Sequence, residues 1–143
     1  MSGPHVPAQL RARVRKRAKG RCEYCQYPQQ GCYAIFNCDH VLPFALGGPT
    51  SYENLVWACP TCNVTKGKQT HGSDPATGDS VPLFNPRLQK WPDHFRWSED
   101  NLRVIGRTPT GRATVRALRM NRHGVARVRT YLIARGVHPP PPA

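Results

Sequence analysis

The sequence has few carboxylates, and its two ends have none. Its 143 residues carry 21 Lys and Arg against 8 Asp and Glu, for a net charge of +13. Residues 1–21 contain seven basic side chains without an acidic one, and residues 101–143 contain nine arginines without Asp or Glu. This excess disfavours cationic partners and indicates a polyanionic one, because Lys and Arg that neutralise phosphates release counterions. A surface that serves only solubility is the alternative, but solubility needs no excess of one sign.

The sequence also lacks a long apolar run. No stretch approaches the ~20 apolar residues of a membrane span, and the N-terminus lacks the apolar core of a signal peptide. We therefore expect a cytoplasmic protein without a membrane partner.

The hydrophobic content of 38% beside 15 prolines and 12 glycines indicates a small hydrophobic core, and small cores often need a metal or disulfides for stability. Because cytosolic thiols stay reduced, the six cysteines favour metal ligation.

Sequence patterns predict helices and strands in a definite order. Residues 7–20 predict a short helix with Leu10, Val14 and Ala18 facing inward. Two strands are expected in residues 32–41 and 52–58, joined by a Gly-Gly-Pro loop, and a short helix follows them.

The C-terminal half carries weaker patterns. We expect residues 71–86 to form an irregular connection, because they are rich in Pro, Gly and Asp. Alternating apolar residues predict a hairpin around Phe95, Trp97 and Val104. Trp91, Phe95 and Trp97 are expected to pack this hairpin onto the N-terminal unit or the last helix. A helix in two pieces, divided near Gly124, would follow.

Four of the six cysteines form two Cys-x-x-Cys pairs, Cys22 with Cys25 and Cys59 with Cys62. This spacing suits two ligands of one tetrahedral metal, so four thiolates around a structural zinc are expected. The pairs are separated by 33 residues, and the chain between them must therefore hold structure of its own. Buried apolar cysteines are the alternative. Cys32 and Cys38 stay unassigned: packing is the expected role, and substitution for one of the four ligands is the alternative.

The segment CEYC, followed by CDHVLPFALGGPTSYENLVWACPTCNVTKGK, resembles the HNH endonuclease family, in its subgroup with a four-cysteine zinc knuckle. The resemblance covers roughly residues 10–70. It implies an α+β fold with a ββα-metal, treble-clef-like unit, in which a hairpin and a helix hold one catalytic divalent ion. We expect an N-terminal helix and this core in residues 1–75. A basic hairpin-plus-helix extension in residues 76–143 would pack on it, with a disordered tail at 137–143.

The resemblance also assigns roles to individual residues. His40 matches the first histidine of the family name, Asn54 the central asparagine, and Asn63 the last position, where many members have histidine; the chain is an HNN variant. Asp39 matches an acidic metal ligand. Hydrolysis of a phosphodiester needs these residue types. A neutral histidine suits the general base that activates water, and oxygen ligands suit the Mg²⁺ or Mn²⁺ that neutralises the phosphate. Asn54 would hold the His40 loop and orient its ring.

The resemblance implies that a monomer or homodimer hydrolyses DNA phosphodiester bonds. It would nick or cleave a duplex and leave a 5′ phosphate and a 3′ hydroxyl. Nine basic residues are expected along the phosphates: Arg11, Arg13, Arg15, Arg17, Lys66, Lys68, Arg112, Arg116 and Arg119.

Two alternatives stay open: a non-catalytic zinc-stapled module that binds nucleic acid, and an RNA-directed nuclease. Asp39 and His40 together favour an enzyme, because a site that has lost catalytic activity has no chemical need for either residue. Charge does not separate DNA from RNA, since both present phosphates.

Overall fold

The computed structural model describes residues 4–30 and 34–141. The chain divides into two compact units. The first runs to Thr70 and includes Asn85–Gln89, and the second comprises His71–Phe84 and the chain from Lys90 onward. Helices alternate with three two-stranded antiparallel sheets in the described residues, which confirms the α+β class. No helix in this described part has the length and apolar character that crossing a bilayer requires.

The first unit opens with helix α1, Ala8–Arg17, which begins after Pro7. Val14 from the predicted apolar stripe is fully buried, and the helix packs against the second strand of this unit. Its last turn carries three basic residues, which suits the negative end of the helix dipole. The chain then turns through Gly20 in the left-handed region, which glycine adopts without steric cost.

The predicted order of strand, loop, strand and helix is confirmed. Strand β1, Asn37–His40, pairs antiparallel with β2, Leu55–Ala58, so that His40 lies opposite Leu55. Helix α2, Pro60–Lys66, follows directly. All four residues of β2 are buried, and the core around this hairpin contains Tyr24, Phe36 and Trp57.

The second unit contains a hairpin that the sequence did not predict. Strands β3, His71–Ser73, and β4, Ser80–Pro82, pair antiparallel within the segment expected to be an irregular connection, so that expectation was wrong. The physical reason is Asp74, whose carboxylate accepts hydrogen bonds from the Ala76 amide and the Thr77 hydroxyl. These bonds close the turn that joins the strands.

The remaining elements follow the predicted order. Helix α3, Trp91–His94, leads into a hairpin of β5, Phe95–Trp97, and β6, Val104–Gly106. Helices α4, Pro109–Ala117, and α5, Val125–Ala134, complete the unit and are divided where the sequence indicated.

Aromatic rings form the core beside the β5–β6 hairpin. Trp91 lies 5.1 Å from Phe95 and 5.2 Å from Trp97 between ring centroids, and Phe84 lies 5.0 Å from Phe95. These contacts join the four rings in one aromatic cluster of the second unit. His138, inside the segment expected to be a disordered tail, is buried with its ring 4.4 Å from Trp97. This contact holds the chain through His138.

Candidate functional site

The four paired cysteines converge in the first unit. Their sulfur atoms all lie within 4.8 Å of one another, and all four residues are buried. The Sγ atoms of Cys25 and Cys59 are 3.7 Å apart. A zinc ion with four Zn–S bonds of about 2.3 Å in a tetrahedron places its sulfurs about 3.8 Å apart. The cluster can therefore hold a zinc ion, as the spacing predicted, and the interpretation as unrelated buried thiols does not explain the convergence.

The local backbone prepares this cluster for a cation. The Cys25 amide lies 3.5 Å from the Cys22 sulfur, and the Cys62 amide donates to the Cys59 sulfur at 3.4 Å. Burial raises the pKa of the Cys22 thiol, whereas hydrogen bonds from the neighbouring cysteines lower the pKa of Cys59. Four thiolates would repel one another at these distances, and a divalent cation removes that repulsion. Cys38 lies in β1 opposite Trp57, and Cys32 lies outside the described residues.

His40 ends strand β1 and is partly exposed. Its Nε2 lies 2.9 Å from the Thr50 hydroxyl, and its ring contacts the Phe44 ring edge-on at 6.0 Å between centroids. Burial lowers the pKa of His40, an effect that neighbouring Asp39 opposes. The imidazole is therefore neutral near pH 7, which is the protonation state that a general base needs.

Asn54 fastens the loop that follows His40. Its Oδ1 accepts from the Leu42 amide at 3.0 Å, and its Nδ2 donates to the carbonyls of Leu42 and Pro49 at 3.1 and 2.9 Å. A Cβ on Gly48 would lie 1.7 Å from the Leu42 carbonyl oxygen, so this close approach requires glycine. The contact to the His40 ring comes from Thr50, which the sequence analysis missed; a hydroxyl directly after Gly-Gly-Pro is the signal that marks it.

Asp39 occupies a buried polar cluster. Its Oδ2 accepts from the Tyr24 hydroxyl at 2.9 Å and lies 3.1 Å from Lys66 Nζ. Lys66 Nζ also donates to the His40 carbonyl at 3.0 Å. Burial raises the pKa of Asp39, and the Lys66 charge opposes that rise. We predicted that Lys66 lines the phosphates; the structure instead leaves only 2% of it exposed, because its ammonium neutralises Asp39 inside the fold.

Asn63 lies on α2, one turn before Lys66, and is partly exposed. Residues three apart on a helix share a face, and Lys66 reaches β1, so Asn63 lies on the side of α2 nearest the strand. Asp39 and Asn63 offer carboxylate and amide oxygens, the donors that a hard divalent cation prefers. Because both polar contacts of Asp39 use Oδ2, an ion would bind Oδ1 or displace Lys66.

Two of the predicted phosphate-binding arginines of α1 make contacts within the first unit. Arg11 donates to the Phe36 carbonyl at 2.6 Å and lies over the Trp57 ring. Arg17 donates to the carbonyls of Tyr52 and Leu55 at 2.7 and 2.5 Å. These guanidiniums hold α1 against the hairpin, and this use of their donors departs from the prediction that they project toward phosphates.

A third predicted phosphate-binding arginine also makes an internal contact, in the second unit. Arg112 binds Asp74 through two parallel hydrogen bonds, both of 2.9 Å, and this contact lowers the pKa of Asp74 to about 2. Five of the predicted basic residues are exposed: Arg13, Arg15, Lys68, Arg116 and Arg119.

Comparison with models of protein families matches residues 22–69 to the family described as HNH endonuclease. The matched segment spans both cysteine pairs, the β1–β2 hairpin and α2. This segment is therefore similar to the HNH endonuclease domain, as the resemblance implied. No curated protein matches the chain significantly. No solved structure does so either.

Proposed function

We propose that the protein is a metal-dependent HNH endonuclease that hydrolyses phosphodiester bonds of DNA, with His40 as the general base. The observation that supports this most is the arrangement at the end of β1. There a neutral histidine adjoins a buried carboxylate and heads a loop fastened by Asn54. This arrangement falls inside the matched HNH segment.

The base acts through one defined ring nitrogen. When Thr50 accepts the Nε2 proton of His40, the Nδ1 lone pair is left to take a proton from the attacking water. Asn54 keeps the loop in place while this happens, because its three amide hydrogen bonds tie the chain on both sides of the Gly-Gly turn. Thr50 fixes the ring and Asn54 fixes the backbone, so both are positioning residues.

Asp39 and Asn63 would hold the catalytic Mg²⁺ or Mn²⁺. When bound, the ion neutralises the phosphate and the leaving 3′ oxygen, which gives 5′-phosphate and 3′-hydroxyl products. Lys66 and Tyr24 keep Asp39 in position from the opposite oxygen. As a neutral amide, Asn63 is a weaker metal ligand than the histidine found in many members of the family.

The proposed substrate is duplex DNA, bound through the exposed basic residues of both units. Phosphate contacts supply affinity without sequence preference, and that affinity falls steeply with salt. One active site cuts one strand, so a monomer would nick and a homodimer would make a double-strand break. The extension that follows residue 75 is proposed to add phosphate contacts through Arg116 and Arg119, which are exposed on or just after α4.

The test is cleavage of supercoiled plasmid by wild type and His40→Ala with Mg²⁺, Mn²⁺, Ni²⁺ or no metal. A general base contributes ~10²- to 10⁴-fold in rate and little to phosphate affinity, so His40→Ala should lose cleavage and bind DNA within a few fold. His123→Ala, at an exposed histidine of the second unit, is the matched control and should cleave normally. Full nicking by His40→Ala would remove His40 from the mechanism. Preferential cleavage of RNA in a parallel assay would transfer the proposal to the other polymer.

The assignment of Asn63 has its own test. Imidazole suits transition metals better than Mg²⁺, so Asn63→His should keep cleavage and shift its preference toward Mn²⁺, Co²⁺ or Ni²⁺. Asn63→Ala should raise the metal concentration needed for half-maximal cleavage. Zinc content and melting must match wild type in both variants, because Asn63 directly follows the ligand Cys62. Unchanged metal titration curves would mean that Asn63 does not bind the ion.

A further inference from the structure

Three large apolar side chains are exposed in the loop directly after His40. Leu42, Phe44 and Leu46 have exposed fractions of 43%, 56% and 58%. Together they form what we call the apolar loop surface. Scattered apolar residues on a surface need no explanation, but three exposed ones within five positions directly after the proposed base are not scattered along the chain.

The backbone beneath the apolar loop surface is held by hydrogen bonds. Asn54 binds both the amide and the carbonyl of Leu42. Leu46 and Gly48 both donate to the Pro43 carbonyl, at 2.9 and 3.0 Å. The side chains are therefore presented from a fixed loop, which lowers the entropy cost of binding a partner.

The position of Phe44 identifies what it meets. Its ring lies 6.0 Å from the His40 ring, so the sugar or base beside a phosphate attacked at His40 is within reach of Phe44. The other end of the same loop carries positive charge, because the Arg13 guanidinium lies 4.2 Å from the Tyr52 ring centroid. Apolar contact flanked by cations suits a nucleotide, which presents a flat apolar base on an anionic backbone.

We propose that the apolar loop surface docks on the nucleotides flanking the scissile phosphate of duplex DNA, with Phe44 wedged against a base step that it partly unstacks. This inference rests on the proposed function and adds a substrate contact to it. Apolar wedges of Phe and Leu unstack base steps in other DNA-binding proteins, and the exposed phosphate that results is easier to reach in line. Phe44 is thus a specificity and positioning residue, and His40 remains the base.

The experiment uses the full chain, loaded with zinc, and a short duplex that carries 2-aminopurine beside a mapped nick position. Binding and 2-aminopurine emission are measured in Ca²⁺, which substitutes for the catalytic ion while cleavage is followed separately in Mg²⁺ or Mn²⁺. Wild type should raise the emission, because unstacking relieves its quenching. Phe44→Ala should bind about 5- to 150-fold more weakly, the loss expected for one base–aromatic stack, and should not raise the emission.

Two variants separate this role from a general loss of fold. Phe44→Trp keeps an aromatic face and should retain both the affinity and the emission change. Val64→Ala alters a residue of α2 that is 78% exposed and should match wild type in both measurements. Zinc content and melting of each variant are compared with wild type before binding is interpreted.

The possible outcomes distinguish this inference from the proposed function. If wild type cleaves and Phe44→Ala binds and raises emission as wild type does, the wedge is refuted and the nuclease assignment stands. If wild type neither binds nor cleaves DNA, the proposed function itself fails. If light scattering shows that wild type is a dimer which Phe44→Ala converts to a monomer with unchanged affinity per site, the surface is an interface between two copies and the wedge is overturned.

Discussion

Replacing Lys66 by methionine would test the buried ion pair beside the candidate base. The Lys66 and Asp39 side chains are only 2% and 9% exposed, and their charged atoms are 3.1 Å apart. Methionine keeps the length of the side chain but leaves the carboxylate buried, with the Tyr24 hydroxyl as its remaining donor from this cluster. It also removes the donor to the His40 carbonyl. Removing one partner of a buried pair costs about 3–5 kcal/mol, a large share of the ~5–15 kcal/mol by which domains are stable.

The measurement is urea unfolding of the zinc-loaded protein, followed by tryptophan fluorescence and far-UV circular dichroism. Lys66→Met should lose about 3–5 kcal/mol of unfolding free energy. The double variant Lys66→Met with Asp39→Asn should recover part of that loss, because no uncompensated charge remains. Lys68→Met, at an exposed lysine two positions away, is the matched control and should stay within about 0.5 kcal/mol of wild type.

The pH dependence gives an independent check on the same pair. Burial already raises the pKa of Asp39, and loss of the Lys66 charge raises it further. A carboxyl whose folded pKa exceeds its unfolded value of ~3.9 stabilises the fold below that value and destabilises it as pH rises through the folded pKa. The deficit of Lys66→Met should therefore be smaller at pH 5 than at pH 8. A deficit under about 1 kcal/mol at both pH values, or a double variant no more stable than the single one, would refute the buried pair.

Three further changes have outcomes that follow from the structure. Cys59→Ser should lose one zinc equivalent and cooperative unfolding of the first unit, since structural zinc contributes folding free energy; metal analysis showing no zinc in wild type would contradict this. Gly48→Ala should slow cleavage and speed hydrogen exchange in the His40 loop at unchanged zinc content, because its Cβ would meet the Leu42 carbonyl at 1.7 Å; normal exchange would show that the loop adapts. Asp74→Asn should lower the melting temperature at pH 7. Arg112 lowers the pKa of Asp74 to about 2, so this stability is present above ~4 and lost as pH falls toward 2, and the two proteins should converge there; a constant gap would exclude the linkage.

The cysteine cluster and the elements around it could be predicted because ligand chemistry restricts spacing tightly. Two Cys-x-x-Cys pairs allow few arrangements, and both pairs converge as expected. The hairpin between them follows from β-branched and aromatic residues on either side of a Gly-Gly-Pro turn. The place of Asn54 on the loop backbone also agrees with the expectation that it holds the His40 loop.

The buried position of Lys66 was missed, although the sequence contains a signal for it. A lysine in a short polar helix is usually solvated, and charge alone suggested a phosphate contact. Lys66 is four residues after Cys62, however, and residues four apart share a helix face. A face that turns a metal ligand inward carries the next residue inward too, where an acidic partner is required.

The short strands and the arginine contacts could not be predicted from the sequence, for different reasons. The β3 and β4 strands have three residues each, too few to show an alternating pattern, and the hairpin depends on hydrogen bonds to the Asp74 side chain. Arg11 and Arg17 give the chain its charge whether they face solvent or donate to backbone carbonyls. Composition reports the sum of charges and carries no information on where each guanidinium points.

The distance along the chain between the cysteine pairs has a consequence for how the protein assembles. The 33 residues between Cys25 and Cys59 include all of β1, its loop and β2. Closing a loop of that length has an entropic cost of roughly 3 kcal/mol, which arises before any strand contact can offset it. A zinc ion that captures both pairs brings the ends of this segment together first, and the hairpin then searches a much smaller set of conformations. The concentration of free zinc should thus control the rate at which newly made chains fold this hairpin. When zinc is scarce, His40 would stay on an unfolded segment.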